Sequence, residues 1–247
     1  MEIKTFSRKL LGILLLIVAI FSKTDAQAQN IADSLNPKQV NLIAISAQTA
    51  KGDLTALKGN LNTGLDAGLT INEIKEAILH SYAYCGFPRS IRGLQTFMIV
   101  LDDRKAKGIK DALGAEASPV ITQGNKYDRG KAILEKLTGV KETGPKKGYA
   151  AFAPAMEVFL KEHLFADIFE RDVLTFKDRE LVTISVISSI GDAEPMLSSH
   201  LAICLNIGLT PNQLQQFVGV IKPVIGKNKG RAAQKVLNEV LAGKKKD

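Results

Sequence analysis

Apolar positions recur along the chain at intervals of three and four residues, the spacing that lines side chains up on one face of a helix. In "PKQVNLIAISAQTA" they fall at Val40, Ile43, Ala44 and Ala47. In "INEIKEAILHSYAYCG" they fall at Ile71, Ile74, Ile78, Tyr82 and Cys85. "DRELVTISVISSIG", "EPMLSSHLAICLNIG" and "PNQLQQFVGVIKPVIG" carry the same rhythm. Pro37 suits a first helical turn, and Gly52 is placed to end that helix. The β-branched run "LVTISVISSI" alone reads as strand as readily as helix, but its flanking cap and glycine favour helix. No strand pattern of useful length is left, and the predicted fold is all-α.

The pattern also repeats. "GLTINEIKE" at 68–76 matches "GLTPNQLQQ" at 208–216, an offset of 140. Each has a glycine stop, a threonine N-cap and an acidic or amide residue three positions on, which is a capping box. Upstream, "LNPKQVNLIAISAQTAKGD" at 35–53 matches "LTFKDRELVTISVISSIGD" at 174–192 at an offset of 139, so one residue is inserted in the turn between. Each half reads helix, Gly-Asp break, helix, "GLT" break, helix. Three such helices cannot enclose a core alone, so the two units are expected to pack on each other as a pseudo-dimer. The boundaries read from the sequence are a first repeat at 29–104, a linker at 105–125 and a second repeat at 126–247.

Residues 1–28 stand outside this scheme. Lys4, Arg8 and Lys9 precede an apolar run from Leu10 to Phe21, and Ala26-Gln27-Ala28 supplies small residues at alternate positions. This is the layout of a secretory signal peptide and too short for a membrane span. The expectation is an exported protein, periplasmic or secreted, with no membrane association after the signal is removed.

The net charge of +8 becomes +6 without residues 1–28, and the basic residues are spread along the chain. Aromatic side chains are not interleaved with them as nucleic-acid binding would want, so no nucleic-acid partner is expected. Cys85 and Cys204 are the only cysteines, they occupy unlike positions in the two repeats, and no Cys-x-x-Cys occurs. Buried free thiols are expected, and neither a dithiol centre nor a thiolate zinc site has its ligands.

Taken together, these segments resemble the carboxymuconolactone decarboxylase family, which also contains alkylhydroperoxidase D. "YDRGKAILEKLTG" is similar to the family's entry segment, and "FLKEHLFADIFERDVLTFKDRELVTISVISSIGDAEPMLSSHLAICLNIGLTPNQLQQ" to its main body. In the first half, "GLTINEIKEAILHSYAYCGFPRSIRGL" resembles the closing segment with its Gly-aromatic-Pro turn. The resemblance implies an all-α fold, assembly into a homo-oligomer with a trimer as the expected form, and neither a metal nor an organic cofactor. The peroxidase branch places a Cys-x-x-Cys pair between a glutamate and a histidine. Here that interval, "GDAEPMLSSH", holds no cysteine. The decarboxylase branch keeps the glutamate and histidine alone, which match Glu180 and His200.

On residue pattern alone, Glu180 is equally a solvated charge beside a helix N-terminus, and His200 equally a boundary residue flanking the stripe Leu197, Leu201, Cys204 and Leu205. The repeat adds weight to both, since Asn41 and Asn60 stand at the matching positions of the first copy. The turn shows the reverse asymmetry: "AYCGFPRS" is intact in the first repeat, whereas the second reads "PVIGKNKG". The expectation is one composite pocket, with catalytic Glu180 and His200 facing substrate-binding His80, Tyr84, Phe87 and Pro88. Arg89 or Arg92 would hold a carboxylate, because a guanidinium matches its two oxygens. His163 lies outside the motif and is read as a surface residue. The resemblance thus implies cofactor-free acid–base chemistry of the decarboxylase or lactone type on a small organic acid or lactone. Alkylhydroperoxidase or peroxiredoxin-type activity, and a non-catalytic small-molecule-binding or assembly protein, are the alternatives.

Overall fold

The computed structural model describes residues 33–119 and 123–244. The segment read as a signal peptide lies outside the described residues. The chain divides into Met1–Ser34 and Leu35–Asp247, and the fold below is that of the second unit.

Helix α1, Pro37–Lys51, starts at a complete capping box between Asn36 and Gln39 and stops at left-handed Gly52 (φ 72°). Helix α2 is Leu54–Asp66, and α3 is Ile71–Ala106, capped by the reciprocal Thr70–Glu73 bonds. The chain kinks inside α3 at Gly86, with φ 80° and ψ 161°, backbone angles that only glycine adopts without strain. After a non-helical segment come α4, Lys126–Thr138, short α5, Tyr149–Phe152, and α6, Pro154–Phe159, which passes into a π-helical run, Leu160–Ile168. The second half closes with α7, Phe176–Ile190, α8, Glu194–Asn206, α9, Pro211–Ile225, and α10, Lys227–Gly243. No strand occurs among the described residues, and the β-branched run of α7 is helical.

The repeat is visible element by element. Helix α1 corresponds to α7, α2 to α8, the first part of α3 to α9 and its second part to α10. Gly226 breaks the chain at φ 88° and ψ 165°, nearly the angles of Gly86. The inserted residue falls where the sequence match shifts. Gly52 is followed directly by the N-cap Asp53, whereas Gly191 is followed by Asp192, held at φ 54°, before α8 begins.

The central helices α1 and α7 lie against each other. Gln39 Nε2 donates to Asp178 Oδ1 at 3.0 Å, and these two residues occupy equivalent positions in the two repeats. A residue meeting its own counterpart marks a local two-fold relation. Each core borrows from the other half. Leu42, Ile45, Leu57, Leu61 and Ile74 of the first repeat pack with Val182 and Val186 of α7, while Ile43 and Ala47 of α1 pack among Leu181, Leu201 and Phe217. This explains why α1 is buried continuously from Leu42 to Ala50 and α7 from Arg179 to Ser189, rather than along a single stripe. Hydroxyls on these helices return their protons to the carbonyl one turn back, as Thr49 does to Ile45, Ser185 to Leu181 and Ser189 to Ser185.

Part of the segment expected to be a linker is tied down. The first backbone N–H groups of α3 have no intrahelical acceptors. Those of Ile71 and Asn72 donate to the carbonyls of Ala112 and Leu113, both at 2.9 Å. Arg104 then clamps the segment through Asp111 while reaching Asp66 of α2. Residues 109–119 therefore form a strap across the start of α3. Lower down, α4 crosses the π-helical run so closely that a Cβ on Gly130 would lie 1.9 Å from the Lys161 carbonyl oxygen. This crossing builds a third core around Leu137, Phe165, Phe169 and Ile203.

Candidate active site

Glu180 lies one turn beyond the α7 N-cap Thr175 and is completely buried by the first repeat. His200 projects from the middle of α8, with 14% of its side chain exposed, and its Nδ1 lies 2.8 Å from Glu180 Oε2. With the carboxylate accepting, Nδ1 carries the hydrogen and Nε2 is left for a reacting group. The other carboxylate oxygen, Oε1, is buried and has no hydrogen-bond partner among the described residues.

The first repeat supplies the opposite wall. The Tyr84 ring meets His200 edge-on, with centroids 6.0 Å apart, and the His80 ring lies 5.5 Å from that of Tyr84. Tyr84 therefore meets the pair from the second repeat, whereas His80, expected to bind substrate, is fully buried behind Tyr84 with both ring nitrogens engaged by Arg179 and Thr183. Burial, reinforced by the nearby Glu180 carboxylate, pushes the Tyr84 phenol above its ordinary pKa, so it is a proton-bearing hydroxyl at neutral pH.

Behind Tyr84 runs a hydrogen-bond chain that sequence reasoning did not anticipate. Arg179, wholly buried, donates from Nη2 to Glu76 Oε1 at 2.8 Å and to the Arg171 carbonyl at 2.6 Å. Its Nη1 lies 3.3 Å from His80 Nδ1. A guanidinium only donates, so Nδ1 accepts and the His80 hydrogen sits on Nε2, which gives it to Thr183 Oγ1 at 2.9 Å. The Thr183 hydroxyl lies 3.0 Å from the Arg179 carbonyl and 3.1 Å from the Tyr84 hydroxyl, with a single proton to give. Burial first, then the positive charge of Arg179 and the proximity of His200, hold His80 well below the usual imidazole range. It is a neutral imidazole. Glu76 is pushed up by burial but held lower overall by the hydrogen bonds and charges of Arg171 and Arg179.

The remaining expected residues are not brought to the pair within the chain. The kink at Gly86 redirects the helix that carries them. Phe87 is 62% exposed and stacks on Tyr82, with centroids 4.6 Å apart, and Pro88 is exposed beside it. Arg92 is exposed and donates to Gln95. Arg89 lies across Gly52 at the C-terminus of α1, where an added Cβ would meet its guanidinium at 1.6 Å. The equivalent Lys229 covers Gly191 and donates to the Ser189 and Ile190 carbonyls. Arg89 thus sits where a cation answers the negative end of a helix. His163, half exposed, bonds Tyr82 and Asp167 as a surface residue.

Both cysteines are free. Cys204 is fully buried, and burial aided by Glu180 raises its thiol well above the ordinary value. Burial also raises Cys85, whose Sγ donates to the Ser81 carbonyl. Neither environment favours a thiolate. A concavity of about 210 Å3 at the far end of α7, lined by Ile187, Ala193 and Leu197, does not include Glu180 or His200. The Glu180–His200 pair and that hollow are separate.

Superposing the repeats in sequence shows that the site exists once. Where the constellation has Arg179, Glu180, Thr183 and His200, the first repeat has Val40, Asn41, Ala44 and Asn60. Where it has Glu76, His80 and Tyr84, the second has Gln216, Val220 and Val224. Val40, Val220 and Val224 pack against the apolar core instead. The model of the carboxymuconolactone decarboxylase family matches the chain twice, over residues 19–97 and 154–239. A comparison with curated proteins returns no match. The two matches cover most of the chain, one in each copy of the helical repeat, and the protein belongs to the carboxymuconolactone decarboxylase family as a tandem two-repeat member.

Proposed function

We propose that the chain is a cofactor-free acid–base enzyme of the decarboxylase or lactone type, acting on a small organic acid or lactone. The observation that carries this reading is the Glu180–His200 pair, which commits Nδ1 to the carboxylate and leaves Nε2 for a substrate, on a ring that meets Tyr84 edge-on. When a carboxylate leaves as carbon dioxide, its bonding electrons remain as a carbanion or enolate, which needs positive charge nearby and then a proton. An imidazolium at His200 supplies both, and Glu180 orients the ring and balances its charge. Tyr84, with its proton retained, donates a hydrogen bond to the oxygen where negative charge collects. The raised thiols and the missing Cys-x-x-Cys weigh against the peroxidase alternative.

The basic and apolar segment 1–28 supports export, which places the substrate outside the cytoplasm. Exposed Phe87, Met98, Phe152 and Phe159 support assembly into a homo-oligomer. Among the described residues, no helix is long and apolar enough to cross a membrane.

The test is carbon dioxide release from a panel of β-keto acids and unsaturated lactone acids. His200→Ala and Glu180→Gln should each lower kcat/KM by about 100-fold or more, the usual scale for a general acid. Cys85→Ser and Cys204→Ser should leave it within about twofold. Release that survives His200→Ala, or that disappears with either cysteine, defeats the reading.

A further inference from the structure

We propose that the hollow between the start of α3 and the strap is a second small-molecule site, for a small carboxylic acid that also carries a hydroxyl group. It measures about 260 Å3, ample for such a molecule, and Leu79, Leu94 and Val173 give it an apolar wall.

The polar side of the hollow is incomplete. Asn72 is only 4% exposed, and its Nδ2 donates to the carbonyls of Gly114 and Ala115 and to Glu116 Oε1. Those three acceptors fix the orientation of the amide. Asn72 lines the hollow, and its buried Oδ1 has no hydrogen-bond partner among the described residues. A buried acceptor without a donor is costly, and a ligand hydroxyl supplies the missing donor.

Charge selects the rest of the ligand. The lining holds Lys75 and Arg171 against Glu76 and Glu116, but both carboxylates are already engaged, Glu76 by Arg171 and the buried Arg179 and Glu116 by Asn72 Nδ2. The charge left without a partner is that of Lys75, which favours an anion. Lys75 is exposed and holds no ion pair among the described residues. Arg171 spends Nε and Nη2 on Glu76, which leaves Nη1 as an uncommitted donor. A carboxylate between Lys75 and Arg171, with the hydroxyl directed to Asn72 Oδ1, satisfies all three groups at once. The site is separate from the Glu180–His200 pair, although Glu76 borders both through Arg179.

The experiment uses the full chain, labelled with 15N and titrated at constant ionic strength with lactate and, separately, with propionate, which lacks the hydroxyl. Saturable shifts are expected for the amides of Asn72, Lys75, Glu116 and Arg171. Lactate should bind about tenfold more tightly than propionate, the effect of leaving one buried acceptor bare. Lys75→Gln, a change at an exposed position, should weaken lactate at least about threefold without moving the melting temperature. Equal affinities for the two acids, shifts confined to the surroundings of His200, or no saturable shift overturns the proposal.

Discussion

His80 offers a direct thermodynamic test of the buried network. Its imidazole is fully buried and held neutral, well below the ordinary value of 6.5, by burial first and then by Arg179 and His200. In the unfolded chain it titrates normally, so below pH 6.5 the unfolded state binds a proton that the folded state refuses. A depressed folded-state pKa contributes stability that is complete above the unfolded value and is lost as pH falls. The slope approaches about 1.4 kcal/mol per pH unit, and an imidazole that stays neutral down to pH 5 gives about 2 kcal/mol between pH 7 and pH 5. For a domain of this size, that corresponds to about 4–8 °C in melting temperature. His80→Gln removes the titration while keeping an acceptor for Arg179 and a donor for Thr183. Parent and variant should be unfolded in urea at several pH values, and the difference between their stabilities followed. Subtraction cancels the carboxylates and the other histidines, which titrate in both proteins. The difference should move in favour of the variant by about 2 kcal/mol between pH 7 and pH 5. If parent and variant lose stability in parallel over that range, His80 is protonated in the folded state and the tautomer assignment behind Tyr84 is wrong.

Other perturbations address separate features. His200→Ala leaves the Glu180 carboxylate buried without its partner, which should cost about 3–5 kcal/mol, and adding Glu180→Gln should restore much of that loss in a double-mutant cycle. Gly130→Ala drives a methyl group into the Lys161 carbonyl, so calorimetry should show a loss of more than about 3 kcal/mol, at or beyond the upper range for overpacking. With iodoacetamide at neutral pH, Cys204 should be unmodified in the native protein and Cys85 should react more slowly than a free thiol; fast labelling of either contradicts the burial that raises both thiols.

Local sequence signals predicted the helices well because each signal is local in its physics. Asn36, Thr70, Thr175 and Thr210 cap helices by bonding backbone groups a few residues away, and Gly52 relieves a left-handed turn at its own position. Repetition at offsets of 139 and 140 made the two-unit plan legible, including the extra residue at the Asp192 turn. Glu180 and His200 were visible through the family resemblance, and the asparagines at the matching positions of the first copy added weight to both. The same comparison carries a signal for Arg179 and Thr183, which stand opposite Val40 and Ala44, but a polar residue on a helix ordinarily reads as solvated surface.

What the sequence determined by itself was therefore the all-α class, the main helices of each repeat, their duplication and the chemical types retained in only one copy. Tertiary structure decided which of those residues meet. Packing α3 against α7 buries Arg179 beside Glu76 and His80, residues about a hundred positions away in the chain, and that burial, with the charge of Arg179, keeps the imidazole neutral well below its ordinary range. It also decided what Arg89 does, because the turn at Gly86 lays that side chain over the end of α1 and away from His200. Helical periodicity specifies which face of a helix is apolar. Which faces touch, and hence which titratable groups lose water together, depends on contacts between distant segments that no local pattern encodes.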